Sequence, residues 1–128
     1  MFAIEPIKEV SIVTNVYRLL VNGKKPIDEF IQKYKNDPQY KIQIGQIQSI
    51  LMFIGKNEES KIPTSKFKAL RKNKKDKYID YEIKTKDLRV YLFLDKAKGK
   101  IVTLGGLKKT QKKDMNKMRN WKKAYFEQ

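Results

Sequence analysis

Basic side chains gather in the last third of this chain at spacings that suit phosphate chemistry. Lys84, Lys86 and Arg89 lie close together, and Lys108 and Lys109 follow a Gly105-Gly106 pair. The planar fork of an arginine matches two phosphate oxygens at once. A lysine crowded by other cations has its pKa lowered and can serve as a base. One reaction suits this set: cleavage of RNA by its own 2′-hydroxyl, where the substrate supplies the nucleophile. The protein must hold that hydroxyl in line, neutralise charge on the phosphorane and move two protons. A surface that only binds phosphates needs the same residue types, so the cluster permits cleavage without specifying it.

The remaining composition narrows the choice. The chain has 128 residues, no cysteine and no histidine. That removes disulfides, thiolate metal sites and the usual acid–base group near neutral pH. No metal-ligand cluster is present, and no glycine-rich loop has the P-loop or dinucleotide spacing. Neither a metal nor a cofactor is expected. No apolar run approaches the ~20 residues of a membrane span, and residues 1–15 lack a signal-peptide pattern. A single cytoplasmic domain over 1–128, with no membrane partner, is expected.

The net charge is +16. Residues 1–64 carry 9 Lys/Arg against 7 Asp/Glu, whereas residues 65–128 carry 21 against 7. Such self-repulsion is relieved by a polyanion, with nucleic acid first, an acidic protein second and an anionic membrane surface third. A uniform lysine-rich bias is the bland alternative, and the uneven halves argue against it. Between Lys66 and Lys77, 7 of 12 residues are basic. Lys66, Lys68, Arg71 and Lys72 are the expected phosphate contacts of this connecting segment, and Phe67 and Leu70 are placed to anchor it.

These residues need elements to position them. Tyr78–Lys84, Leu88–Leu94 and Ile101–Leu104 alternate as strands of a meander, with Asp95–Lys100 as a hairpin loop. On the middle strand Leu88, Val90, Leu92 and Leu94 face one way and Arg89, Tyr91 and Phe93 the other. That second face is either semi-buried or a stacking surface, which makes Tyr91 a candidate RNA contact. Upstream, Val16–Val21 reads as a strand and Glu9–Val13 as a weaker one. Asn22-Gly23 is a turn, and Pro26 opens a helix with Ile27, Phe30, Ile31 and Tyr34 on one face. Asp37 is the expected N-cap of a second helix over Pro38–Ile54, with Gln43 off its apolar stripe. The two form an α-hairpin over the sheet. Lys112–Phe126 is helix-compatible, with Met115, Met118, Trp121 and Tyr125 as a docking stripe.

Four segments, in order, resemble the HigB-like branch of the RelE/ParE toxin superfamily. Gly23-Lys24-Lys25-Pro26-Ile27-Asp28-Glu29-Phe30-Ile31 resembles the start of its first helix. Tyr81-Glu82-Ile83-Lys84 and Leu88-Arg89-Val90-Tyr91-Leu92-Phe93 resemble two of its strands. Leu104-Gly105-Gly106-Leu107-Lys108-Lys109-Thr110-Gln111-Lys112 resembles its most specific signature. The likeness spans about residues 16–125 and leaves residues 1–15 as an extension without a counterpart.

What it implies is an α+β fold: an N-terminal strand and α-hairpin on a twisted antiparallel sheet, with a C-terminal helix. It implies a toxin of a type II toxin–antitoxin pair, a metal-independent endoribonuclease acting on mRNA at the ribosome and neutralised by a cognate antitoxin. Arg89 falls at the family's phosphate-contacting arginine, Lys84 at a second basic position, and Lys108 or Lys109 at the basic position after the last strand. Asp114 stands where relatives carry a general acid. Lys86, Lys112 and Lys113 flank these as RNA contacts. A gyrase-targeting or non-catalytic member of the fold, and a basic interaction protein outside it, are the competing classes.

Overall fold

The computed structural model describes residues 1–70 and 77–128. In chain order the elements are β1 (Phe2–Pro6), β2 (Val16–Val21), α1 (Pro26–Tyr34), α2 (Lys41–Gly55), β3 (Phe67–Ala69), β4 (Asp80–Lys84), β5 (Leu88–Asp95), β6 (Gly99–Leu107) and α3 (Gln111–Glu127). The strands make one sheet in the order β1-β2-β6-β5-β4-β3. All neighbours are antiparallel except β2 and β6, which run parallel over Val16–Arg18 and Lys100–Val102. The fold is therefore α+β with a mixed sheet, which corrects the expectation of a purely antiparallel one. The parallel pair arises because the α-hairpin and the meander intervene between the two strands and return the chain in the same direction.

Alternation on β5 divides two cores. Leu88, Val90 and Leu92 join Ile27, Ile44, Ile47, Leu51 and Ile54 of α1 and α2 on one face. Tyr91 and Phe93 join Leu19, Ile101, Leu104 and Met118 on the other, under α3. Opposite the Tyr91/Leu92 step the register slips by one residue at Thr103. Its hydroxyl donates to the Tyr91 carbonyl at 2.7 Å. This bulge keeps Leu104 on the α3 side and sets Gly105 beneath α1.

Several local expectations change. The first strand is Phe2–Pro6 and not Glu9–Val13, because residues 7–15 find other hydrogen bonds. Ser11 Oγ donates to Ile7 O, and Val13 N and Thr14 N donate to Gly55 O at the end of α2. Asp37 does not cap α2. Its carboxylate accepts from Gln39 N at 2.9 Å, and this turn delays the helix to Lys41. Gln43 is buried on α2, bonded to the β4–β5 turn. Phe67 is an anchor: it is buried, and its ring stacks on Tyr81 at 5.3 Å. Met115, Met118, Trp121 and Tyr125 of α3 all meet the second core.

Candidate nucleic-acid interface

The β4–β5 turn and the exit from β6 lie at the same end of the sheet. Lys84 pairs in register with Arg89, Arg89 with Gly106 and Leu88 with Leu107. Lys108 N donates to Asp87 O at 2.8 Å, and Lys84 N donates to Lys66 O at 2.7 Å. The sheet thus brings Lys84, Lys86, Lys108, Lys109, Lys112 and Lys113 to one end, all exposed, with half-exposed Lys66 beside them. None of the six exposed lysines forms an ion pair with a described residue. Lys68 is exposed on edge strand β3, opposite Glu82. Arg71 and Lys72 lie outside the described residues.

A buried polar network holds this end in shape. Gln43 Oε1 accepts from Thr85 Oγ1 at 2.6 Å and from Asp87 N at 2.7 Å, while Gln43 Nε2 donates to Asp87 Oδ2 at 2.8 Å. Arg89 completes the network from the opposite face. One of its terminal nitrogens donates to Thr85 O at 2.6 Å and to Leu88 O at 2.8 Å. Arg89 is 2% exposed. Its guanidinium braces the turn that carries Lys84 and Lys86 and is not presented to a ligand. Tyr91 is also fully buried, so it does not offer a stacking face to solvent. The alternation of β5 places both residues under α3, and the docking stripe of that helix closes over them.

Acidic groups sit next to this pair. Glu82 is buried and accepts from Gln111 Nε2 at 2.8 Å, at the start of α3. Asp114, half-exposed one turn further on, accepts from Thr110 Oγ1 at 2.7 Å. Burial, with the nearby Glu82 and Asp114 charges, pushes the Tyr91 phenol well above its ordinary range, against the pull of Arg89. Arg89 Nε and the Tyr91 hydroxyl are the two buried side-chain polar atoms that lack a partner among the described residues. Elsewhere α3 is tied down by Lys122, which donates to Asp80 Oδ1 at 2.7 Å and Tyr78 O at 2.6 Å, with Arg119 on Asp80 Oδ2 at 3.2 Å.

Four of the expected catalytic residues, Lys84, Lys108, Lys109 and Asp114, therefore gather at one end of the molecule, and Arg89 lies beneath them. The sequence reading missed Gln43, Glu82 and Lys122 as buried polar residues. Gln43 and Lys122 carried no distinguishing signal. Glu82 lies between Tyr81 and Ile83 on β4, whose alternation alone does not reveal that both faces are covered. No three His, Cys, Asp or Glu side chains converge as metal ligands among the described residues, and no helix there is long and apolar enough to cross a membrane. No protein-family model, curated protein or solved structure matches this chain.

Proposed function

We propose that the protein is a RelE/ParE-type toxin that binds mRNA on the ribosome through its lysine-rich end and cleaves it by 2′-hydroxyl attack. The observation that carries the reading is the convergence of six exposed lysines, without ion pairs to any described residue, at the end of the sheet where α3 begins. Unpaired cations on a rigid frame suit a phosphate backbone, and their repulsion is relieved when it binds. In this reading Lys84, Lys108 and Lys109 hold the scissile phosphate and stabilise its added charge. Asp114, beside them and partly open, takes the 2′-hydroxyl proton as a carboxylate, and a lysine of the cluster gives a proton to the departing 5′-oxygen. Arg89 is a positioning residue that fixes the turn bearing Lys84 and Lys86. The partners are mRNA, the ribosome and an antitoxin, in the cytoplasm.

The burial of Arg89 favours a second reading, in which the same surface binds RNA without cutting it. Inducible expression with primer-extension mapping of message ends separates the two. In-frame cuts in translated messages are expected. Intact messages from cells in which the protein still sediments with RNA would establish the second reading. Intact messages with blocked DNA supercoiling would contradict both.

A further inference from the structure

We infer that the cleft between α1 and α3 is a nucleobase site, taking one unpaired base of an RNA strand whose phosphates lie on the adjacent lysines. This rests on the reading of that end as an RNA-binding surface. The cleft exists because the sheet splits. β2 pairs with β6 only as far as Arg18 and Val102, so among the described residues Leu104–Leu107 have no strand beside them on that edge. The helices α1 and α3 come from opposite faces and border the gap, which encloses about 420 Å³.

The floor is the backbone of Gly105 and Gly106, where Gly105 packs against a ring and Gly106 against the end of a side chain that can move aside. A Cβ at Gly105 would lie 2.5 Å from the Phe30 ring, and one at Gly106 would lie 2.0 Å from Asp114 Oδ2. Each wall then presents an aromatic ring with a cation over it. Lys33 Nζ lies 5.3 Å from the Tyr34 ring centre, and Lys117 Nζ lies 5.0 Å from that of Trp121. Rings with adjacent cations are what single-stranded nucleic acid uses: the base stacks on the ring and the cation meets its phosphate. Glu29 and Asp114 also line the cleft, and carboxylates accept from exocyclic amino groups, which cytosine, adenine and guanine have and uracil lacks. Leu107 and Thr110, at its mouth, flank Lys108 and Lys109 in the chain, so a strand on those lysines has its next base at the opening.

The competing occupant is an extended peptide added to the free edge of β6. That edge is short, and the many cations of a +16 chain favour a polyanion. Trp121 is the only tryptophan, so its emission reports on the cleft. The wild-type protein is titrated with a cytidine oligoribonucleotide and with an abasic strand of equal length. Tryptophan emission is followed alongside the anisotropy of an end-labelled strand. The base-bearing strand is expected to quench Trp121 in step with binding and to bind about ten-fold tighter than the abasic one. Tyr34→Ala should narrow that gap. Equal affinities with unchanged emission would overturn the base site and leave the phosphate surface standing. Failure of both strands to bind would overturn both. Quenching by an extended acidic peptide and not by RNA would assign the cleft to a protein and refute the proposal.

Discussion

A guanidinium sealed under a helix is costly unless its hydrogen bonds are made, and Arg89 makes two of them to a single turn. Arg89→Ala removes both and leaves Thr85 O without its donor, while Leu88 O keeps Thr85 N at 3.0 Å. A loss of about 2–4 kcal/mol in urea unfolding is expected. A variant of unchanged stability but lost activity would make Arg89 a phosphate ligand and not a brace. The neighbouring Tyr91 behaves differently, because its hydroxyl is buried without a partner among the described residues. Tyr91→Phe should be neutral or stabilising by up to about 1 kcal/mol at pH 7. The folded phenol is held above its ordinary value of 10.0, so its contribution is intact below that pH and is lost as the unfolded chain ionises above it. The advantage of the Phe variant should therefore widen above pH 10, by at most ~1.4 kcal/mol per pH unit. A difference in thermal midpoint that stays flat from pH 8 to 11 would count against the buried placement.

Elements show what could and could not be read in advance. The meander, the α-hairpin and the C-terminal helix were legible because each repeats an apolar spacing, as in Leu88–Val90–Leu92 and Met118–Trp121–Tyr125. The convergence of Lys84 with Lys108 and Lys109 was foreseeable from strand adjacency alone. What stayed hidden depends on contacts distant in sequence. Glu9–Val13 looks strand-like until Val13 N meets the C-terminus of α2, and Arg89 and Tyr91 look presentable until α3 covers them. Gly105-Gly106 read as a strand end, whereas it lies within β6 and lets two helices approach it. Gly55 is similar, since a Cβ there would lie 1.4 Å from Val10 O. Relief requires moving backbone, so Gly55→Ala should cost about 3 kcal/mol or more and loosen residues 7–15. Hydrogen exchange at Val13 and Thr14, whose amides donate to Gly55 O, reports this directly. Unchanged protection at both would contradict the docking.

At the scale of the molecule, the sheet separates two sets of lysines. Lys96 and Lys98 lie exposed in the β5–β6 turn, at the end remote from Lys84 and Lys108. Net charge alone would make the two ends equivalent toward a polyanion, but an organised site would not. Each phosphate contact to single-stranded RNA contributes about 0.7 to the slope of log affinity against log salt. The most direct test is therefore the salt dependence of RNA affinity for wild type, Lys108→Ala/Lys109→Ala and Lys96→Ala/Lys98→Ala. The first pair should lower the slope by about 1.4 in magnitude and the second should leave it near the wild-type value. Equal losses from the two pairs, or an affinity indifferent to salt, would contradict an RNA-binding surface at the start of α3.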